Sequence, residues 1–298
     1  VVRIPSKPLA LLSVDVEDYF QVEAFVDRVD RARWSDYPSR VESNTRHILD
    51  LFDECGVKGT FFTLGWVAER FPALVREIVD RGHEAACHSY WHRLVYKLSP
   101  DEFREDTYRA KGLIEDAAGV AIFGYRAPSF SVMKQSLWAL DTLAELGFRY
   151  DSSIFPIQHD VYGMPDAPRV PFRVDTEAGP FAEFPMTTFR WMGDRNVPIG
   201  GGGYLRIFPF WMTRFGVRKA CQNGVPLITY LHPWEIDPDQ PRLAGRLTSR
   251  LRHYTNLKHT AGRLRKLSAM VSFTSFRDSG WVESILASAP RELSPIST

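Results

Sequence analysis

Leu9-Ala10-Leu11-Leu12-Ser13-Val14 is an apolar run with a β-branched end, and it stops abruptly at Asp15-Val16-Glu17-Asp18. A short apolar run of this kind reads as a buried strand, and its abrupt end reads as a strand delivering carboxylates at its C-terminal tip. Working outward, Val41, Thr45, Ile48, Leu49 and Phe52 recur at helical spacing and Gly56 closes that helix. Thr60–Leu64 reads as the next strand, Pro72–Val79 as a helix stopped by Gly82, and Glu84–Cys87 as a third strand. Ser99-Pro100-Asp101-Glu102 is a capping box opening a helix that Gly119 ends. Ile122–Arg126, Ser136–Leu146 and Phe148–Ser152 continue the rhythm as strand, helix and strand. Strands alternating with helices imply parallel strands joined by helical crossovers, an α/β fold.

The rhythm changes after Pro156. Residues 169–190 predict an inserted β-hairpin turning at Glu177-Ala178-Gly179-Pro180. Val225–Leu231 returns as a buried strand, Val271–Phe276 as a weaker one, and Trp281–Leu286 as a short helix. Residues 240–277 hold nine Lys/Arg and no Asp/Glu, at partly helical spacing over about 240–270. Such a stretch suits an anionic glycan, a membrane surface or RNA, and its ordinary alternative is a solvated helical face. The chain has 298 residues, which at ~150 per domain suggests two domains, although α/β barrels reach ~250 as one. With no internal repeat or low-complexity linker, one domain over 1–288 is expected, followed by a disordered tail, 289–298.

Composition narrows the class. Apolar types make 44% and charged types 24%, which excludes disorder, collagen and coiled coil for the whole. Net charge is +1, giving no global reason to expect nucleic acid. Ala220–Trp234, 15 residues with two prolines, is the longest stretch without Asp, Glu, Lys or Arg, too short to span a bilayer. No secretion signal is visible, and Cys55, Cys87 and Cys221 form no C-x-x-C, so a cytoplasmic, reducing setting is the expectation. Oligomeric state is not legible.

In parallel α/β folds the active site gathers at the C-terminal ends of strands. Those ends carry Asp15, Glu17 and Asp18; His88 and His92; Arg126; Asp151; and His232. On a helical turn His88 and His92 would share a face and hold one metal ion. A carboxylate from a neighbouring strand would complete a site of two imidazoles and one carboxylate with an open position for water, as hydrolytic zinc requires. In an extended segment Asp15 and Glu17 share a side and Asp18 points away, so one acid can bind metal while another accepts a proton. Arg126-Ala127-Pro128-Ser129 sets a permanent cation beside a rigid turn. The guanidinium can fix Asp15, and the turn can aim a backbone N–H at an oxyanion. A surface ion pair is the alternative reading of Arg126. His232 would be a general acid, with Asp151 orienting its other ring nitrogen. Gly200–Gly203 lacks a phosphate-loop pattern and marks a loop needing close approach to substrate or unusual φ. Tyr19, Phe20, Trp34, Tyr90, Trp91, Trp191 and Trp234 are aromatics near these motifs in sequence, and sugar rings stack on such faces.

These motifs, in this order over residues 9–276, resemble the NodB-type polysaccharide deacetylases, carbohydrate esterase family 4. The phrases Ser13–Phe20 and Tyr230–Glu235 resemble a bacterial subgroup associated with exopolysaccharide production and exosortase-type systems. The resemblance implies a distorted (β/α)7-type, TIM-like barrel with the inserted hairpin and a helical C-terminal extension. It implies a hydrolase acting on linear amides, removing the N-acetyl group of an N-acetylhexosamine glycan or its precursor to release acetate. It further implies Zn2+, or another divalent ion such as Co2+ or Ni2+, on His88, His92 and one carboxylate. Asp15 would then be the base, Arg126 its positioner, the Ser129 backbone N–H an oxyanion donor, His232 the acid and Asp151 its support. The family's commonest pattern has two adjacent aspartates where this chain has Asp15-Val16-Glu17-Asp18. Glu17 is the expected third ligand because it shares a face with Asp15, and Asp18 is the alternative. Tyr19, Trp91 and Trp234 are the expected substrate contacts. The partner is an N-acetylated glycan, with no nucleic acid, no transmembrane segment, and a membrane surface left open for the 240–277 stretch. A small cyclic imide or ureide substrate, and a non-catalytic glycan-binding role, are the competing functions.

Overall fold

The computed structural model describes residues 7–159, 161–191, 193, 195–291 and 293. Its strands are β1 (Leu9–Val16), β2 (Thr60–Thr63), β3 (Glu84–Cys87), β4 (Gly124–Tyr125), β5 (Tyr150–Asp151), β6 (Phe172–Thr176), β7 (Gly179–Glu183), β8 (Thr188–Arg190), β9 (Asn196–Pro198), β10 (Leu227–Leu231) and β11 (Ser272–Thr274). Its helices are α1 (Val41–Cys55), α2 (Gly65–Arg70), α3 (Pro72–Asp80), α4 (Pro100–Ala118), α5 (Trp138–Glu145), α6 (Gly202–Ile207), α7 (Phe210–Gln222), α8 (Leu247–Tyr254), α9 (Thr260–Ser268) and α10 (Trp281–Leu286). The main sheet runs β10-β1-β2-β3-β4-β5-β7-β6. Every neighbouring pair in it is parallel except β6 with β7. The parallel α/β fold expected from the strand–helix alternation is therefore present, in the barrel-like form that the resemblance implies.

β1 is the axis of the sheet. Seven of its eight residues are buried. One edge pairs with β10 over Ala10–Val14; the other pairs with β11 over Leu9–Leu11 and with β2 over Ser13–Val16. Alternation then sorts the side chains into two layers. Ala10, Leu12 and Val14 face the helices together with Phe61, Cys87, Tyr125, Leu227 and Leu231. Leu11 faces the barrel interior with Phe62, Ala86, Tyr150, Ala182, Ile228 and Tyr230. Positions continuing that inner row, Ser13, Asp15, Arg126, Ser152 and His232, are polar.

The hairpin expected at 169–190 is built into the sheet rather than added to it. β6 and β7 are antiparallel, but β7 pairs in parallel with β5 and so continues the barrel. β8 belongs to a separate two-stranded ribbon with β9. The tail begins by docking: the Arg291 N–H donates to the Arg173 carbonyl of β6 at 2.8 Å, and most of the remainder of 289–298 lies outside the described residues. Among the described residues no helix is long and apolar enough to cross a membrane.

The barrel closes on β10 through single bonds rather than a full ladder. The Thr187 hydroxyl donates to the Pro226 carbonyl (2.8 Å) and accepts from the Ile228 N–H (2.6 Å). The Tyr230 N–H donates to the Gly200 carbonyl at 2.8 Å. Gly201 (φ +119°) is so close to β10 that a Cβ there would lie 2.0 Å from the Tyr230 carbonyl oxygen. The glycine run thus has unusual φ as expected, but the close approach is to β10 and not to a substrate. Gly201→Ala is expected to cost about 2 kcal/mol or more, whereas Gly262→Ala, where an added Cβ meets nothing within 4 Å, is expected to be neutral or mildly stabilising. Calorimetric melting of the two variants checks this.

The two-layer rule also corrects the role expected of Asp151. It alternates with the inward-facing Tyr150 on β5 and therefore points outward, next to its register partner Glu183. Its carboxylate accepts from the Ser153 hydroxyl (2.5 Å) and N–H (3.2 Å). Burial pushes Asp151 up to about 6 and Glu183 well above the usual carboxylate range. Such a pair keeps a proton that the unfolded chain releases near pH 4, so its contribution to stability is present at low pH and declines as pH rises. Glu183→Gln replaces the shared proton with amide donors, and the loss of melting temperature between pH 5 and 8 is expected to flatten, as a pH series of thermal melts will show.

Candidate metal centre and active site

The inner row of β1 supplies the two acids. Asp15 and Glu17 are each 2% exposed. Arg126, fully buried just beyond β4, donates from Nη1 to Asp15 Oδ1 and to the Ser13 hydroxyl, both at 2.7 Å. Its Nε and Nη2 are held by the Ser152 carbonyl (3.1 Å) and hydroxyl (3.0 Å), and its guanidinium lies 4.2 Å from the Phe62 ring centre. The surface-ion-pair reading of Arg126 fails on its burial.

Asp18, the alternative ligand, is turned away as extended geometry requires. Its carboxylate caps the start of α1, accepting from the Ser39 hydroxyl (2.6 Å) and from the N–H groups of Arg40 (2.9 Å) and Val41 (3.1 Å). Those bonds occupy the carboxylate at a helix N-terminus.

His88 and His92 converge, although not on a helical turn. Residues 88–92 form a tight loop in which Ser89 (φ 65°) and His92 (φ 51°) are left-handed. Such backbone is costly for non-glycine residues and persists where surroundings impose it. Here the Asp106 carboxylate accepts from the Tyr90 N–H at 2.7 Å and the Ser89 hydroxyl accepts from the His92 N–H at 3.1 Å. The His88 Nδ1–H donates to the Arg126 carbonyl at 2.8 Å, which leaves Nε2 with its lone pair. Burial lowers His88 to about 4, favouring neutral imidazole.

Glu17 Oε2 lies 2.9 Å from His92 Nε2. One ligand atom from each of Glu17, His88 and His92 falls within 4.8 Å of the others, all buried. Burial pushes the Glu17 carboxyl up, but His92, His232 and His88 together hold it at about 2. Two imidazole nitrogens and one carboxylate oxygen are a donor set that fits a divalent ion with an open position.

His232, at the end of β10, faces this cluster: its Nε2 is 3.6 Å from Glu17 Oε1 and 3.9 Å from Asp15 Oδ2. Its Nδ1 partner is not Asp151 but Glu235, whose Oε1 lies at 2.6 Å and also accepts the His232 backbone N–H at 3.2 Å. The other Glu235 oxygen accepts from Arg206 Nε at 2.5 Å. Arg206 is fixed in turn by the carbonyls of Arg252, His253 and Thr255. Burial pushes Glu235 up, but the charges of Arg206 and His232 outweigh it and hold it at about 2. Burial pushes His232 down, but the Glu235 and Glu17 carboxylates raise it above its ordinary value. Glu235 escapes the reading from sequence, although His232-Pro233-Trp234-Glu235 has the spacing of a capping box, which is its signal.

Ser129, left-handed at φ 52°, sits at the turn after Pro128. The Ala127 N–H is taken by the Ser153 hydroxyl (2.7 Å), and those of Phe130 and Ser131 by the carbonyls of Ala127 and Pro128. The aromatic expectations need correcting. Tyr19 is 1% exposed and packs edge-on against Phe20, so it offers no face to a sugar. Trp234 is also buried: its ring stacks on His232 (4.8 Å between centres) and on His253 (4.0 Å), and its indole N–H points to Glu17 Oε1 (3.3 Å). It walls the site rather than opening to a glycan. Trp91 remains partly exposed beside Trp34 and Tyr90. Trp191 lies elsewhere, on β8's ribbon against α7.

Residues 33–150 match the sequence model of the family "Polysaccharide deacetylase", and residues 152–280 match "Domain of unknown function (DUF3473)". A peptidoglycan-N-acetylglucosamine deacetylase of Bacillus cereus is 35% identical over 98 residues, 33% of this chain and 36% of that protein. The chain therefore aligns with about a third of that relative's length. In overall shape the chain resembles the crystal structure of a candidate polysaccharide deacetylase from Mycobacterium smegmatis, at TM-score 0.63, 22% identity, and coverage of 99% of this chain and 96% of that one. It also resembles Puue allantoinase, at TM-score 0.59, 16% identity, and coverage of 96% and 93%. Asp15 and Glu17 precede the first matched segment, His88, His92 and Arg126 lie within it, and Arg206, His232 and Glu235 lie within the second. Residues 33–150 thus carry the sequence pattern of the polysaccharide deacetylase family, and the DUF3473 segment completes the same barrel.

Proposed function

We propose that the protein is a metal-dependent hydrolase that removes N-acetyl groups from an N-acetylglucosamine-type polymer, releasing acetate and a free amino sugar. The observation that carries this reading is the meeting of Glu17, His88 and His92 beside Asp15 and His232. The named activity of the Bacillus cereus relative supports the substrate class, and the resemblance to the exopolysaccharide-associated subgroup supports an exopolysaccharide as the polymer.

His88, His92 and Glu17 would hold the ion, which when bound supplies Lewis acidity toward water and the acetyl carbonyl. Asp15 takes the proton from the attacking water. Arg126 pairs with that carboxylate and fixes which oxygen faces the site. The Ser129 N–H donates to the developing oxyanion. His232, held protonated by Glu235, delivers its proton to the leaving amine nitrogen. Arg206 keeps Glu235 from competing for that proton.

Acetate release from N-acetylglucosamine oligomers, measured beside metal content, tests the assignment. His88→Ala is expected to lose metal and activity together. Asp15→Asn is expected to keep metal and lose activity by about 10²–10⁴-fold. Asp18→Asn is expected to keep metal. An active Asp15→Asn would remove Asp15 as the base, and wild-type protein without stoichiometric metal or acetate release would favour a glycan-binding role.

Glu235 sets the pH dependence of the acid. His232 acts while protonated, so activity falls as pH rises through its pKa, and Glu235 raises that pKa. Glu235→Gln is expected to move the alkaline limb of the kcat/KM profile to lower pH, while the acid limb stays in place. A pH–rate profile on the oligomer substrate measures both limbs.

A further inference from the structure

The charge of this chain is divided very unevenly. Residues 195–277 carry fourteen Lys/Arg and three Asp/Glu, whereas the other 215 residues carry 23 and 33. Two of those three acids are already engaged, Glu235 by Arg206 and His232, and Asp237 by Arg40. The same region gathers apolar surface. Of the ten large apolar side chains exposed among the described residues, six lie between 191 and 251.

α7 brings the two properties together. Its inner stripe, Thr213, Gly216, Val217 and Ala220, is buried. Gly216 allows close packing, since a Cβ there would lie 2.9 Å from Ile199 and Phe189 side-chain atoms. Its outer stripe at helical spacing is Trp211, Arg214, Phe215, Arg218 and Lys219, all exposed. None of these three cations forms an ion pair among the described residues. Trp211 (56% exposed) and Phe215 (46%) join Trp191 (42%) from the neighbouring β8 ribbon, with ring centres 6.3 and 5.2 Å from the Trp191 ring. α8, which packs on α6 directly before α7, repeats the pattern: Leu247 and Leu251 are exposed beside Arg246 and Arg250.

We propose that the α7 face docks the protein onto an anionic lipid bilayer surface, with Trp191, Trp211 and Phe215 inserted at the headgroup level. Exposed indole and phenyl rings interleaved with exposed arginines on one helix stripe are the chemistry of an interfacial helix. The uneven charge supplies attraction to anionic headgroups. A glycan platform fits less well. Sugars stack on open, roughly coplanar faces, whereas Trp191 and Trp211 meet at 60° and Trp191 and Phe215 at 58°. The exposed leucines of α8 have no ring face to offer.

Co-sedimentation of the full chain with vesicles tests this independently of catalysis. Binding is expected to phosphatidylcholine–phosphatidylglycerol vesicles and to be about tenfold weaker to phosphatidylcholine alone. The double variant Trp211→Ala/Phe215→Ala and the triple variant Arg214→Gln/Arg218→Gln/Lys219→Gln are each expected to lose about tenfold in partitioning. Both are expected to melt like wild type and release acetate from soluble oligomers at the wild-type rate. Tyr108→Ala, on the exposed face of α4, is expected to bind vesicles normally. The proposal is overturned if wild type fails to bind anionic vesicles, or if the α7 variants bind like wild type. It is also overturned if the double variant instead loses binding to soluble N-acetylglucosamine oligomers, or if sedimentation velocity shows that it dissociates a dimer.

Discussion

A guanidinium with no solvent exposure must be satisfied on every side, and Arg126 meets that demand by reaching three elements of the barrel. It bonds Ser13 and Asp15 on β1 and Ser152 just beyond β5, and its flat face lies against Phe62 on β2. Burying an ion pair is expensive unless such bonds accompany it, and removing one partner from a buried pair costs about 3–5 kcal/mol. The same backbone carbonyl that follows this side chain accepts from His88. One residue thus fixes the orientation of the Asp15 carboxylate and the tautomer of the His88 imidazole.

The opposite wall of the site is organised by a second buried guanidinium. Arg206 holds Glu235, and Glu235 holds His232 by both its ring and its backbone. In the proposed reaction the two arginines act on different halves. Arg126 faces the Asp15 carboxylate assigned as base, and Arg206, through Glu235, stands behind the His232 imidazole assigned as acid. Because Asp15 precedes both matched segments and His232 lies in the second, neither segment alone contains the proposed acid–base pair.

Much of this is legible from local chemistry. The caps at Ser99/Glu102, Gly56 and Gly119, the period of α1 and α4, and the acids ending β1 depend on residues a few positions apart, so the sequence displays them directly. What stays hidden depends on distant partners. Whether Asp151 faces the interior is decided by register with Gly124–Tyr125 and Glu183, which no short window reveals. Asp18 stays open as the alternative ligand until Ser39–Val41, more than twenty residues later, are seen to claim it. The loop 88–92 reads as helical because helical spacing and a left-handed turn can bring the same two residues together. α2 escapes notice because Gly65–Arg70 is too short to show a period. Tyr19 and Trp234 read as sugar contacts because aromatic composition does not distinguish a buried wall from an open platform.

The two edges of β1 are occupied by strands drawn from opposite ends of the chain, β2 soon after it and β10 and β11 far downstream. During synthesis the first strand emerges with one backbone edge bare, and nothing can cover it until residue 231 has left the ribosome. At ~5–20 residues per second that interval is on the order of ten to forty seconds. An apolar strand with an unpaired edge is a template for pairing with other chains. The nascent protein therefore passes through a long period of vulnerability, and its yield in a cell will depend on what shields Leu9–Val16 until the barrel can close.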